Sequence, residues 1–199
     1  MATKDRVPKP TSEMFDEKGR TVGLNSSGFI DIQDYNQDLT GTSGVEIYNQ
    51  MRLGDATVRA ALLLLTLPIL SSKWHIEAGG QSRMAKKAAE FAQENIMESM
   101  TRSWRETLGE ILLYLTFGRM PFEKVWEFRD DGMIYLRNLA MRWPGSIRKW
   151  QMTNGEPGIY QVTTKGKFEI PMTKLCVFVN QKEGDNWEGI STLRSAYKH

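Results

Sequence analysis

A chain of 199 residues is long enough for one medium domain or a domain with an arm, and 40% hydrophobic with 25% charged residues is a globular rather than a disordered balance. A net charge of +2 argues against a strong pull towards nucleic acid or an anionic membrane, and the single cysteine, Cys176, excludes an internal disulfide and permits a reducing compartment. The opening MATKDRVPKP has no apolar core and does not read as a secretory signal, and the longest apolar stretch, Ala60 to Leu70, falls well short of the roughly 20 residues that span a bilayer.

Residues 1–42 are rich in Gly, Ser, Asp, Asn and Lys and show no long period, which predicts an extended or disordered arm. Its one apolar cluster, Phe29, Ile30 and Ile32, is the candidate docking contact of that arm. Ser43 opens a short predicted helix with Val45, Ile47, Tyr48 and Met51 on its apolar side. Asp55 is placed to cap a second helix, DATVRAALLLLTL, which is apolar nearly all round and is therefore expected to be buried. Pro68, without an N–H, should kink or end it. Lys73 to Ala78 alternates and predicts a short strand, broken by Gly79-Gly80.

Gln81 to Met100 predicts a helix whose stripe is Met84, Ala88, Phe91, Ala92 and Ile96. Ser103 and Glu106 then make an S-x-x-E capping box, and Trp104, Leu108, Ile111, Leu112 and Leu115 form the next stripe. Gly118 supplies a left-handed stop. Pro121 suggests an edge-strand start, with Phe122, Trp126 and Phe128 alternating on one face. Strands follow at short intervals. Asp130-Asp131-Gly132 predicts a hairpin turn to Met133–Ala140. Trp143-Pro144-Gly145 turns the chain into Ile147–Met152, and TNGEPG leads to Ile159–Thr163. A Lys165-Gly166 turn leads to Lys167–Ile170. Leu175–Val179 is apolar enough to be a central strand. The polar loop QKEGDNWE precedes a last helix, Thr192–His199, capped by Ser191. The fold class predicted is α+β: N-terminal helices with an antiparallel meander sheet of about five to seven strands, preceded by a flexible arm.

Three stretches carry a resemblance: MRLGDATVRAALLLLTLPILSSKWHIEAG (Met51–Gly79), SWRETLGEILLYLTFGRMPFEKVWEF (Ser103–Phe128) and TKLCVFVNQKEGDNWEGISTLRSAY (ending at Tyr197). Together and in this order they resemble the tailed-phage portal proteins, specifically the Mu-like branch, across 43–199. The resemblance implies a subunit of a homo-oligomeric ring, usually a dodecamer, that replaces one capsid vertex and passes double-stranded DNA during packaging and ejection. It implies terminase, head-completion and capsid proteins as partners, no membrane, a place in the virion after assembly and the host bacterial cytoplasm before it. It also implies that the stretch matched is the N-terminal wing part. Family members continue into stem helices, a clip and a tunnel loop, and this sequence stops at His199 ahead of them, which is expected of a truncated portal, a fragment, one part of a split gene or a degenerate prophage product.

No residue pattern here points to catalysis, a cofactor or a metal. Glu183, Asp185 and Glu188 are carboxylates in one loop, but general acid–base work needs them held at set distances beside groups that shift their pKa, and no histidine clusters with them. A solvated loop is the plainer reading, and the resemblance adds a third, an intersubunit contact made by Lys182, Glu183, Asp185 and Trp187. Gly189-Ile190-Ser191 lacks the second glycine of a nucleophile elbow. His75 and His199 have no triad or zinc neighbours in sequence, and Cys176 reads as a small buried hydrophobe. Arg142, Arg148, Lys149, Lys165 and Lys167, with Trp143 and Trp150 near them, could form a nucleic-acid face by stacking and phosphate contact, although the near-balanced charge favours a solvated sheet surface. The expected function is therefore structural and not enzymatic. A nucleic-acid-binding accessory domain is the alternative, with a hydrolase built on Glu183 and Asp185 ranked last.

Overall fold

The computed structural model describes residues 36–197 together with Gly23. Phe29, Ile30 and Ile32 lie outside the described residues. Helices come first: α1 (Gly41–Gly54), α2 (Ala56–Ser71), α3 (Arg83–Gln93), α4 (Trp104–Ile111) and the one-turn α5 (Tyr114–Phe117). The strands follow: β1 (Arg119–Phe128), β2 (Ile134–Met141), β3 (Ile147–Gln151), β4 (Pro157–Thr163), β5 (Gly166–Pro171) and β6 (Leu175–Val179). The fold is mixed α+β, with every strand pair antiparallel.

Local chemistry sets the element ends. The Asp55 carboxylate accepts from the N–H groups of Thr57 and Val58 at 2.7 and 3.1 Å, closing the free donors of α2. Ser82 caps α3, and Ser103 and Glu106 cap α4 reciprocally. Gly118 ends α5 at φ 80°, where an L side chain would be strained. Gly132, at φ 78°, makes the turn between β1 and β2.

The strands form two sheets of three, in the orders β2-β1-β6 and β3-β4-β5, rather than one continuous meander. Only the second sheet is a meander. In the first, β6 returns after β3–β5 to lie on the far side of β1. This reverses two expectations. β6 pairs with β1 alone and is an edge among the described residues, while β1, which contains Pro121, is central. Proline is tolerated there because the β1–β2 ladder begins only at Phe122. The Pro121 carbonyl accepts from Arg142 N–H at 2.8 Å, just past the end of β2, so the missing donor faces the side where the ladder has stopped.

Between Val125 and Trp126 the β1–β2 register shifts by a bulge that leaves Arg137 without a paired residue. The backbone groups freed there are taken by the helical layer. Asn95, in a π-turn (Glu94–Glu98) that extends α3, accepts from Leu136 N–H at 2.9 Å, and Thr101 N–H donates to the Arg137 carbonyl at 2.9 Å. Beyond the bulge Trp126 and Phe128 project into solvent while Phe122 is fully buried, so the three do not share one environment.

One core lies between the helices and the first sheet: Val45 and Tyr48 of α1, Ile111 and Phe117, Met120 and Phe122 of β1, and Leu136 and Leu139 of β2. A second gathers Ile147, Trp150, Ile159, Ile170 and Leu175, so β6 belongs to both.

Other expectations are corrected. α2 contributes no buried residue; only Val58 and Leu62 pack on the core, and Leu64 is 76% exposed. Hydrophobicity says that such a helix favours cover and does not supply the neighbour. The helix runs one turn past Pro68, whose carbonyl accepts from the hydroxyls of Ser71 and Ser72. Lys73–Ala78 is irregular and forms no strand, because no strand among the described residues pairs with it. It is tied down by side chains instead: Ile76 N–H donates to the Gln93 side chain at 2.9 Å, and Trp74 packs edge-on to Trp104. The last predicted helix is reduced to a 3-10 turn at Arg194–Ala196, and Lys198 and His199 lie outside the described residues.

Candidate functional site

The loop after β6, residues 180–191, is the feature that most connects the fold. Its base is closed by backbone: Ile190 N–H donates to the Asn180 carbonyl at 2.9 Å, and the Asn180 side chain returns a bond to the Ile190 carbonyl at 2.7 Å. That base rests on the junction of α5 and β1, where Asn180 N–H donates to the Gly118 carbonyl at 2.7 Å. Gly189 is required at the crossing. Its φ is +60°, and a Cβ there would stand 2.3 Å from the Gly118 oxygen. Past the loop, the Ser191 hydroxyl donates to the Thr116 carbonyl, and Thr192 N–H to the Leu115 carbonyl at 2.9 Å. These partners satisfy carbonyls that the end of α5 leaves open.

Glu188 is the anchor. Its carboxylate forms an ion pair with Arg119 of β1 and accepts from the Trp150 indole N–H of β3 at 2.8 Å, so one side chain ties the two sheets together. Arg119 is only 4% exposed. Burial pulls its guanidinium below the ordinary arginine value, and the charge of Glu188 opposes that shift. Trp187 stacks on Trp150 at 6.0 Å between centroids, and the Lys182 ammonium lies 3.7 Å above the Trp187 ring.

Of the candidate contact residues, Lys182 and Trp187 are thus brought together, Trp187 packing inward on Trp150 while Lys182 covers its ring from the exposed side. Glu183 and Asp185 stay exposed at the loop tip. Gly23 passes against that tip: a Cβ there would fall 2.5 Å from Asn186 N and from the Asp185 carbonyl carbon. The three carboxylates do not converge, since Glu188 points into the sheet junction. Among the described residues no group of three or more His, Cys, Asp or Glu stands close enough to hold a metal ion. Ser191 is spent on backbone, as donor to Thr116 and as acceptor from Leu193 N–H at 3.0 Å. His75 lies on the exposed segment beside Glu77. Cys176 is half-buried opposite Phe122, and burial pushes its thiol pKa up, away from reactivity.

The basic candidates do not assemble on one face. Arg142 is ion-paired with Glu123 at the first sheet, and Arg148 bonds to Thr42 and to the Gly145 carbonyl. Lys149 and Lys167 lie on the outer face of the second sheet, with Glu169 sharing that face through Tyr160. Lys165 sits in the turn into β5. Sequence reasoning missed Arg119 and Trp150 as partners of Glu188. Nothing local marks them, because the contacts join distant parts of the chain.

The family model for the portal protein of Mu bacteriophage matches residues 45–199. The chain belongs to the Mu portal family. The match covers both sheets, the second core, the first core apart from Leu39, and the Glu188 loop, and it begins inside α1, at the first buried apolar residue of that helix. In this Mu-type portal chain the loop is an internal brace through two of its residues: Glu188 ties Arg119 of β1 to Trp150 of β3, and Trp187 stacks on Trp150. The family role is that of a structural phage portal protein. As to membranes, no single described helix is long and apolar enough to cross one.

Proposed function

We propose that this chain is the wing part of a portal subunit, one member of a ring at a capsid vertex through which double-stranded DNA is packaged and later ejected. The observation that carries the reading is the family match across 45–199. The geometry supports a load-carrying rather than a reactive role, since Glu188 is spent on Arg119 and Trp150. Self-association into a dodecamer, and docking of terminase, head-completion and capsid proteins on that ring, belong to the same proposal. So does its place in the virion, following synthesis in the host cytoplasm. Negative-stain imaging of the purified chain tests it: closed rings of uniform diameter are expected, and a chain that forms none at any concentration overturns the ring reading.

A further inference from the structure

Two exposed apolar surfaces on this molecule have opposite charges at their rims. The first is an open groove of about 280 Å³ where α2 faces α4 and α5. Leu53, Leu63 and Leu70 line it, with Leu112 and Leu113 on the opposite wall. Its charged members are Arg52 and Arg59. Arg52 is held by Asn49 and lies over the Phe117 ring, whereas Arg59 is exposed and makes no ion pair among the described residues. Asp55, the nearest acid in sequence, is spent as the α2 cap.

The second surface is the tip of the β1–β2 hairpin. Phe128 and Ile134 are directly opposed in the register, and Trp126 lies two residues before Phe128, so the three stand on one face. Phe128 is 75% and Ile134 59% exposed. Asp130 and Asp131 close the turn. Asp131 is occupied by Met133 N–H and the Tyr135 hydroxyl, which leaves Asp130 as the exposed acid with no ion pair among the described residues. Monomeric proteins seldom leave contiguous apolar patches rimmed by charge, and where they do the patch usually marks an interface.

From this pairing we infer that the hairpin tip of one copy seats in the α2–α4 groove of a second copy, with Phe128 entering the leucine-lined cleft and Asp130 meeting Arg59. The occupant is a second copy because one chain carries both halves: an apolar projection with an acidic rim and an apolar cleft with a basic one. Projection and cleft are different surfaces, so the contact is head-to-tail. Each added copy presents a new tip and a new groove, and the series closes into a ring if the rotation permits. The contact deepens the ring reading by naming its interface, and it can fail independently of it.

Sedimentation velocity on mixed variants tests the contact. The wild-type chain, at roughly 100 µM and so well above the micromolar Kd of a modest interface, is expected to show species larger than a dimer. Phe128→Lys and Leu63→Glu each disable one surface and should each be monomeric. An equimolar mixture retains one good tip and one good groove, so it should give 1:1 dimers and nothing larger. Arg59→Glu and Asp130→Lys should each weaken association about tenfold, and the double variant should recover most of it. Circular dichroism of each variant should match the wild type, since the substituted side chains are all solvent-exposed. Rings that persist in both Phe128→Lys and Leu63→Glu would overturn this interface and leave the ring reading standing. Open chains in place of rings would do the reverse. A wild type that stays monomeric would overturn both.

Discussion

Glu188 shows how much one side chain can hold. Arg119 is buried and its charge is answered by Glu188, while Trp150 donates to the same carboxylate from the other sheet. Removing the acid leaves a cation without compensation in the interior. Glu188→Gln keeps shape and an acceptor oxygen but loses the charge, and it is expected to cost about 3–5 kcal/mol, read as a lowered midpoint in urea unfolding. Replacing Arg119 and Glu188 together by apolar residues of similar volume should cost much less, because no orphan charge remains. A purely additive result from the two single changes would count against the pairing. Read locally, Glu188 is only one of three acids in a loop. Its separation from Glu183 and Asp185 is a fact of direction, and direction comes from Gly189 and Asn180 closing the loop base.

Among the elements, those with local causes were legible. The capping box of α4 is written in Ser103 and Glu106, and Gly118 and the Asp130-Asp131-Gly132 turn are equally local. Ser103→Ala should destabilise by about 1 kcal/mol, with faster hydrogen exchange in the first turn of α4. The hydrogen bonds from Ser103 hold the Glu106 carboxyl below its ordinary pKa. A depressed folded pKa stabilises above the unfolded carboxylate range, and that contribution is lost as pH falls through the folded value. Acid should therefore loosen the start of α4, and Glu106→Gln should flatten that pH dependence. What the residues could not show locally was pairing. Lys73–Ala78 has a strand's alternation and no strand partner among the described residues, and Leu175–Val179 has a central strand's composition at an edge. Both outcomes depend on which segments arrive beside them. The bulge at Arg137 was equally silent, because it is defined by Asn95 and Thr101. Asn95→Ala leaves the Leu136 N–H buried without an acceptor, so a loss of about 1–3 kcal/mol is expected, with the Leu136 amide exchanging faster.

At the scale of the whole molecule, the reading of α+β architecture survives, and the division into two sheets is the main revision. β6 contributes to both cores and the brace loop joins the two sheets, so the three-stranded units are not independent. The exposure of α2 is a second whole-molecule property. Burial was expected from composition, and composition is indifferent to whether the cover belongs to the same chain. Leu64 lies outside the groove lining and is exposed. Leu64→Lys should therefore shift stability by no more than about 0.5 kcal/mol while raising the concentration at which the chain stays clear, measured by light scattering.

The clamp at the bulge has a mechanical side. The hairpin beyond Arg137 is held to the helical layer at several points: Leu136 and Arg137 bond to Asn95 and Thr101, Tyr135 packs on Phe91 of α3, and Arg129 reaches Ser99. Because Asn95 sits in the π-turn that continues α3, a tilt of that helix is geared directly to the tip, where Phe128 and Asp130 stand. A displacement of α3 is therefore expected to carry the tip with it.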